Sequence, residues 1–113
     1  MNESAKQIVM SYIKGLGDQN YAEARRYLAN NVRVKGPAGE AFRSPDEFLE
    51  MLEKQRGTYD LKKIFVDGND VCVLYDFITS KVTTFFCSWY CVEDGKISSV
   101  QTVFDSRAFG GAQ

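Results

Sequence analysis

The stretch that most constrains this chain runs from Thr83 to Asp105, where two long apolar segments flank Glu93-Asp94-Gly95-Lys96. Asp94-Gly95 favours the positive φ angles of a tight turn, so the two segments are predicted to pair as antiparallel strands. One face of the first strand carries Phe86, Ser88, Tyr90 and Val92, and the other carries Phe85, Cys87, Trp89 and Cys91. Because both faces are apolar, each needs its own cover. The pattern predicts a sheet with helices on one face and another protein molecule on the other.

Length and composition predict one domain over residues 1–113, with a frayed end at residues 110–113. The chain has 113 residues, of which 44% are hydrophobic and 13% aromatic, enough for one core. Its 14 basic and 15 acidic residues form no basic run, which argues against a nucleic-acid partner. The polar start Met1-Asn2-Glu3-Ser4 and the lack of a long apolar run predict no signal peptide and no membrane partner. We therefore expect a cytoplasmic protein.

The chain contains no histidine. This removes the commonest general base near neutral pH and all histidine-dependent nucleophile pairs. Cys72, Cys87 and Cys91 lack the spacing of metal ligands and lie within apolar strand patterns, so we expect structural thiols. We expect no metal and no cofactor. If the protein is an enzyme, carboxylates, tyrosines or lysines must move the protons.

Three segments in the first half of the chain have the apolar spacing of helices. Ser4 and Gln7 predict a capping box for the first, whose apolar face is Ala5, Ile8, Val9, Tyr12, Ile13 and Leu16. Asn20 opens the second, with Tyr21, Ala24, Tyr27 and Leu28 facing inward. Ser44-Pro45 opens the third, which is predicted to run to about Arg56 with Phe48, Leu49 and Leu52 buried.

The other segments have the pattern of strands. A short strand is predicted at Val32-Arg33-Val34, followed by a loop at Gly36-Pro37-Ala38-Gly39. Longer strands are predicted over Tyr59 to Val66 and over Val71 to Thr79. This order predicts an α+β fold in which a cone-shaped, curved antiparallel sheet wraps around three N-terminal helices.

Several of these segments resemble the nuclear-transport-factor-2-like superfamily, which includes ketosteroid isomerases and SnoaL-like polyketide cyclases. The matching segments are Tyr12-Ile13, Ala24-Arg25-Arg26-Tyr27-Leu28 ahead of Val32-Arg33-Val34, the capped third helix, and Asp94-Gly95-Lys96-Ile97 leading into Val103-Phe104-Asp105. The resemblance covers nearly the whole chain and implies a cystatin-like α+β roll. It implies no single function, because the superfamily includes enzymes, binding proteins and scaffolds.

The resemblance also implies where ketosteroid isomerase chemistry would lie. Those enzymes use an aspartate base and an oxyanion hole made of a tyrosine and a protonated aspartate. Tyr12 matches the tyrosine, Gly36 stands where the base should be, and Ser88 takes the place of the protonated aspartate. A missing general base removes a factor of roughly 10² to 10⁴ in rate. We therefore expect no isomerase activity of this kind.

The resemblance and the strand alternation together predict the side chains on the concave face of the sheet. We expect a ligand-binding set of Tyr12, Leu16, Val34, Leu52, Tyr75, Phe77, Phe86, Ser88, Tyr90, Thr102 and Phe104, with Leu28, Val73 and Val100 in the same layer. The hydroxyl groups of the tyrosines, Ser88 and Thr102 in this set favour an open cavity. In such a cavity we expect Tyr12 and Ser88 to converge on one ligand oxygen. The alternative is a filled core in which the hydroxyls bond one another or the backbone.

Two carboxylates and one lysine are further candidates for proton transfer. Asp76 shares a face with Cys72, and Asp105 shares a face with Val103, so alternation directs both away from the concave side. A bulge near the end of the last strand would instead turn Asp105 inward, which would make it a catalytic candidate beside Tyr12. Lys35, next to Gly36, could reach the mouth of the cavity, although a solvated position is expected.

We expect an uncharacterised SnoaL-like protein that binds a small, mostly apolar, oxygen-bearing molecule in a conical pocket. One alternative is an isomerase, cyclase or hydrolase that uses Asp105 or Tyr12 in acid/base chemistry, and another is an interaction module with a filled core. We also expect a homodimer through the convex face of the sheet, because apolar side chains are concentrated there. These residues are Cys72, Leu74, Phe85, Cys87, Trp89, Cys91 and Val103.

Overall fold

The computed structural model of the protein describes residues 4–37, 39–42, 44–105 and 107. Within these ranges the helices are α1 (Ala5–Gly17), α2 (Tyr21–Arg25) and α3 (Pro45–Gln55). The strands are β1 (Leu28–Gly36), β2 (Gly39–Phe42), β3 (Thr58–Asp67), β4 (Asp70–Ile78), β5 (Thr83–Glu93) and β6 (Lys96–Val103). The α+β class predicted from the sequence is confirmed. The predicted frayed end at residues 110–113 lies outside the described residues.

Helices α1 and α3 begin where their capping residues predict. The Ser4 hydroxyl accepts a hydrogen bond from the backbone N–H of Gln7 at 3.2 Å, and the Gln7 side chain accepts one from the backbone N–H of Ser4 at 3.0 Å. The Ser44 hydroxyl accepts from the backbone N–H of Glu47 at the start of α3. Helix α3 ends at Gln55, because the next residue, the C-cap Arg56, has a left-handed backbone that stops the helical hydrogen-bond pattern.

Helix α2 is shorter than the sequence pattern predicts. It ends at Arg25, and Leu28 begins strand β1 instead of continuing the helix. Leu28 is the register partner of Ile97 in β6, and the Ile97 backbone N–H donates to the Tyr27 carbonyl at 2.7 Å. Pairing with a strand far along the chain therefore overrides the local helical spacing.

The strands form a mixed six-stranded sheet in the order β2-β1-β6-β5-β4-β3. Every neighbouring pair is antiparallel except β1 and β6, which are parallel. The expectation of a purely antiparallel sheet was wrong at this one pair. A parallel pair needs a long connection, and α3 with strands β2 to β5 supplies it between β1 and β6.

Two turns fix the strand registers near the cavity. Asp94 has a φ of 53° and Gly95 a φ of 76°, so the predicted tight turn between β5 and β6 is confirmed. Of the predicted loop, Gly36 is the last residue of β1 and Gly39 the first residue of an additional strand, β2, and Ala38 between them lies outside the described residues. Strand β2 was missed because its four residues are too few to show a strand pattern.

The sheet has a concave face, covered by the helices, and an opposite convex face. Val71, Val73, Tyr75 and Phe77 of β4 are buried on the concave face, against α1. On the convex face Phe85, Trp89 and Val103 are 54%, 47% and 59% exposed. We call the predicted convex set, Cys72, Leu74, Phe85, Cys87, Trp89, Cys91 and Val103, together with Phe65, the convex patch.

Phe65 was not predicted as part of this patch. A bulge between Leu61 and Lys63 changes the alternation along β3, and Phe65 pairs with Cys72 in the ladder. The bulge follows from strand pairing and leaves no clear mark in the sequence. In the ranges that the structure describes, none of the helices is both long and apolar enough to span a membrane.

Gly57 lies where α3 passes into β3, and a Cβ atom there would collide with ring carbons of Phe77. The Phe77 ring also packs on Tyr59 and Phe86, with centroids 5.2 Å apart in both pairs, so it has little freedom to move. We expect Gly57→Ala to lower the free energy of unfolding by about 1–3 kcal/mol, the usual cost of overpacking. Urea denaturation monitored by circular dichroism measures this change.

Gly17→Ala is the matched control, because a Cβ atom at Gly17 would have no neighbour within 4 Å. It should change the free energy of unfolding by less than about 1 kcal/mol, in the stabilising direction, since alanine is the better helix former. Equal effects of the two substitutions would contradict the close packing of Gly57 against Phe77.

Candidate functional site

A cavity of about 510 Å³ lies between the concave face of the sheet, α1, α3 and the β1–β2 connection. Its volume is within the range of small-molecule sites. Its walls are formed by Tyr12, Leu16, Val34, Lys35, Gly36, Pro37, Gly39, Phe42, Phe48, Met51, Leu52, Gln55, Tyr59, Tyr75, Phe77, Phe86, Ser88, Tyr90, Val100, Thr102 and Phe104. Every residue of the predicted ligand-binding set is on this wall. Of the three others predicted in the same layer, only Val100 lines it.

Several wall residues were missing from the sequence prediction. Met51 and Gln55 follow Phe48 and Leu52 at helical spacing on α3, so the helix period could have identified them. Phe42 lies on β2, the strand that the sequence analysis missed. These three side chains come from α3 and β2, whereas the predicted set comes mainly from α1 and the central strands.

Aromatic rings form much of the cavity wall. The Phe86 and Phe104 rings are stacked, with centroids 4.3 Å apart and planes 5° apart. Phe86 also packs against Tyr75 at 5.4 Å, and Tyr75 packs against Tyr59 at 5.5 Å. The rings support one another in a continuous apolar layer.

A short chain of hydroxyl groups interrupts this apolar wall. The Ser88 hydroxyl is 2.9 Å from the Tyr75 hydroxyl and 2.9 Å from the Thr102 hydroxyl. Ser88 is directly opposite Thr102 in the β5–β6 ladder, so the sheet register sets this contact. Ser88 is 1% exposed, whereas Thr102 is only half-buried. Thr102 is therefore the accessible end of the hydroxyl chain.

The Tyr12 hydroxyl has a different environment. It is buried and has no hydrogen-bond partner among the described residues. Its ring packs edge-on against Tyr90, with the centroids 6.0 Å apart. The structure thus pairs Ser88 with other hydroxyls and leaves Tyr12 unpaired. An unpaired buried hydroxyl costs about 1–3 kcal/mol, a cost that a ligand oxygen could offset.

Burial keeps the tyrosines of the wall protonated. It raises the pKa of Tyr75 to about 12, and it raises the pKa values of Tyr12, Tyr59 and Tyr90 well above the ordinary value near 10. Near neutral pH all four are neutral phenols, each with a hydrogen to donate. The site can therefore donate hydrogen bonds, but it holds no phenolate to act as a base.

The candidate carboxylates do not reach the cavity. Asp105 is exposed and forms an ion pair with Arg107 at 2.8 Å, and Arg107 lowers the pKa of Asp105. Phe104 lines the cavity and Asp105 does not, which agrees with the outward position that alternation predicts, and the alternative of an inward turn at a bulge is wrong. Asp76 lies 3.7 Å from Lys62 and is also outside the wall.

Lys35 is the candidate that the sequence analysis underestimated. It is exposed, as expected, yet it contributes to the cavity wall near the β1–β2 connection. The pairing of β1 with β2 shifts register between Val34 and Lys35. Among the described residues it is the charged residue of the cavity wall, and no carboxylate accompanies it.

Comparison with known proteins identifies relatives of the whole fold. The family model of the SnoaL-like domain matches residues 9–100. A nuclear-transport-factor-2-like protein of unknown function from Cytophaga hutchinsonii is similar at 28% identity and a TM-score of 0.89, covering 97% of each chain. No curated protein matches the chain.

Two other solved structures share the fold at lower identity. A candidate ketosteroid isomerase from Kribbella flavida is 17% identical with a TM-score of 0.82, covering 89% of this chain and 77% of its own. An epoxide hydrolase of the LEH-like type from M. tuberculosis is 19% identical with a TM-score of 0.76, covering 95% of this chain and 87% of its own. At these identities the similarity shows the fold alone.

The raised tyrosine pKa values predict a loss of stability in alkali. In the unfolded chain these phenols ionise near pH 10, whereas burial keeps them protonated in the folded protein to higher pH. Their contribution is fully present below about pH 10. The free energy of unfolding should then fall as the pH rises from about 10 to about 12. Denaturant titrations across this range measure the slope.

Tyrosinate absorbance of the native protein provides the check on this prediction. The chain has six tyrosines, and the four of the cavity wall, Tyr12, Tyr59, Tyr75 and Tyr90, should stay protonated above pH 10 in the folded protein. Tyr12→Phe should reduce the loss of stability between about pH 10 and 12, because one buried phenol is removed. Titration of all six tyrosines of the folded protein near pH 10 would contradict this prediction.

Proposed function

Because this chain belongs to the SnoaL-like domain family, a frame that by itself fixes no activity, we propose its function from the cavity. The protein binds a small, mostly apolar molecule that carries an oxygen atom. The observation that carries the proposal is the combination of an apolar cavity of about 510 Å³ with a buried, unpaired Tyr12 hydroxyl in its wall.

The aromatic wall supports an apolar ligand. Phe77, Phe86 and Phe104 are held in place by ring contacts, so they offer a preformed surface. Burying apolar ligand area against such a wall contributes roughly 25 cal/mol per Å² before the costs of association. A preformed wall lowers those costs, because few side chains must be ordered on binding.

The hydroxyl groups support a polar atom on the ligand. Thr102 is the accessible end of the Tyr75–Ser88–Thr102 chain, and Tyr12 has a hydrogen left to donate. Both groups fit a neutral oxygen such as a ketone, which accepts hydrogen bonds. A charged group in the deep part of the cavity would have no counter-charge there, and burying it would be costly. Lys35, in the wall near the β1–β2 connection, offers a positive charge to an anionic group. An anionic group of a ligand therefore fits only at that end of the cavity.

A matched pair of ligands tests this proposal. 2-Acetylnaphthalene has a flat apolar body and a ketone, and 2-isopropenylnaphthalene replaces the ketone oxygen with a CH₂ group of similar shape. We expect both to bind, and the ketone to bind more tightly by about 0.5–1.5 kcal/mol, the net value of one hydrogen bond. Isothermal titration calorimetry measures both affinities. If neither molecule binds, the proposal is contradicted.

Substitutions locate the hydrogen bond. Tyr12→Phe and Thr102→Val should each reduce the preference for the ketone while leaving binding of the hydrocarbon unchanged. Thr84→Val is the matched control, because the Thr84 hydroxyl is also buried and unpaired but lies outside the cavity wall. It should leave both affinities unchanged. An unchanged ketone preference in both cavity variants would assign these hydroxyls to the core.

The enzymatic alternatives receive less support from the geometry. An isomerase, cyclase or hydrolase would need a proton acceptor in the cavity, and Asp105 is outside it. Tyr12 is a poor acceptor because burial raises its pKa. The filled interaction module is less favoured too, since the cavity is large enough for a ligand.

The base position offers a direct test of the absence of isomerase activity. Gly36 lines the cavity, and a Cβ atom there would have no neighbour within 4 Å. We expect the unaltered protein not to isomerise a β,γ-unsaturated ketone such as 5-androstene-3,17-dione. Gly36→Asp should produce measurable turnover, because general-base catalysis supplies roughly 10² to 10⁴ in rate. The appearance of the conjugated product in the ultraviolet spectrum is the measurement.

Gly17→Asp is the control for this experiment. It adds the same carboxylate at a position with open space outside this cavity. It should give no turnover. Turnover by the unaltered protein would show that another group acts as the base.

A further inference from the structure

We propose that Tyr59 limits how far a ligand extends beyond its oxygen atom, and that it thereby selects ketones with one short substituent. The inference rests on the proposed function, because it names which oxygen-bearing molecules the ligand cavity accepts. It follows from a second cavity, which shares the Tyr59 side chain with the first.

The second cavity has a volume of about 520 Å³ and lies between α1 and the start of β3. We call it the outer cavity. Its apolar side chains are those of Met10, Ile13, Tyr59 and Leu61. Tyr59 also lines the ligand cavity, and among the described residues no other belongs to both walls. The Tyr59 side chain is therefore the partition between two spaces, each large enough for a small molecule.

The strand order places this partition at one end of the ligand cavity. The β1–β2 connection is at one edge of the sheet and β3 is at the other, so the cavity runs across the sheet toward Tyr59. The hydroxyls proposed to bind oxygen lie between these ends, because Tyr12 packs on Tyr90 of β5 and Thr102 is on β6. Strands β5 and β3 are two positions apart in the sheet, which is roughly 10 Å. The Tyr59 ring occupies part of this span, so only a short substituent fits there.

Contacts with the sheet hold the Tyr59 ring in place. Its centroid is 5.5 Å from that of Tyr75 and 5.2 Å from that of Phe77. Tyr59 is also the register partner of Phe77 in the β3–β4 ladder. Two residues earlier, the Gly57 carbonyl accepts a hydrogen bond from the Gln19 side-chain amide at 3.3 Å, which ties the start of β3 to the segment after α1. The partition is thus a fixed wall and not a flexible flap.

The Tyr59 phenol lies near the polar part of the ligand cavity. Burial raises the pKa of Tyr59 well above its ordinary value, and the nearby phenols of Tyr12 and Tyr75 raise it further. A ketone oxygen that accepts a hydrogen bond from Tyr12 therefore lies close to Tyr59. The substituent on that side of the carbonyl group meets the ring within a few carbon atoms.

The outer cavity suits the apolar end of a ligand and not its oxygen. The buried, unpaired hydroxyls among the described residues are those of Tyr12 and Thr84, and neither lines the outer cavity. Lys14 and Asp18, which do line it, pair with each other at 2.8 Å and are mostly exposed. A ketone therefore keeps its oxygen site in the ligand cavity. If the Tyr59 ring were removed, a longer substituent would extend into the outer cavity.

Aryl ketones with a growing acyl chain test the partition. The compounds are 2-acetyl-, 2-propanoyl-, 2-butanoyl- and 2-pentanoylnaphthalene, which share the aryl group and the ketone. For the unaltered protein we expect no gain in affinity along the series, because the Tyr59 ring blocks the added methylenes. In Tyr59→Ala the affinity should rise about fourfold for each added methylene, because the chain is buried in the outer cavity. Isothermal titration calorimetry measures the affinities.

Three further variants show whether the ring and the outer cavity are responsible. Tyr59→Phe keeps a ring, so its affinities should also fail to rise along the series. Tyr59→Val opens the same gap with a residue suited to a strand, and it should give the same rise as Tyr59→Ala. Tyr59→Ala combined with Ser11→Phe places a new ring in the outer cavity, and the rise should be lost. Circular dichroism checks that each variant is folded.

The results separate this inference from the proposed function. If the ketones bind and the chain-length dependence is the same in Tyr59→Ala, Tyr59→Val and the unaltered protein, the inference is overturned and the proposed function stands. A rise along the series in the unaltered protein would also overturn the inference, and so would a rise that persists when Ser11→Phe is added. If no ketone of the series binds to any of these proteins, the proposed function is contradicted and the inference fails with it.

Discussion

The alternation of side chains along β5 is the constraint on which the rest of the structure depends. Ser88 faces the cavity and Trp89 faces outward, so a register slip of one residue would exchange the two environments. The turn at Asp94 and Gly95 pairs Glu93 with Lys96, and a bulge between Cys91 and Val92 then shifts the ladder by one residue, so that Ser88 pairs with Thr102. The cavity and the convex patch thus lie on opposite sides of β5.

The hydroxyl groups of the cavity wall differ in whether they have a hydrogen-bond partner within the protein. The Tyr75, Ser88 and Thr102 hydroxyls form hydrogen bonds with one another, so they are paired without a ligand. Tyr12 lies in the same apolar surroundings without a partner. Natural proteins tolerate such local costs mainly at functional sites, where a ligand removes the cost on binding. Thr84 also has a buried, unpaired hydroxyl but lies outside the cavity wall, so among the described wall residues it is the Tyr12 hydroxyl that a ligand would pair.

The fold is shared with a candidate ketosteroid isomerase and an LEH-like epoxide hydrolase, but chemistry depends on the groups in the cavity and not on the fold. Here Gly36 lines the wall without a functional side chain, and Asp105 pairs with Arg107 outside it. The polar groups of the described wall are neutral phenols and hydroxyls, the Gln55 amide and the exposed Lys35. They are suited to hold an oxygen and poorly suited to remove a proton.

The sequence by itself determined the features that depend on neighbouring residues: the helix caps at Ser4 and Ser44, the β5–β6 turn, and the alternation that predicted much of the cavity wall. Only the tertiary structure decided the parallel pairing of β1 with β6 and the bulge that adds Phe65 to the convex patch. It also decided which hydroxyls are paired. Caps and turns are set by interactions across three or four residues, whereas these other features depend on groups that lie far apart along the chain and meet only once the sheet has formed.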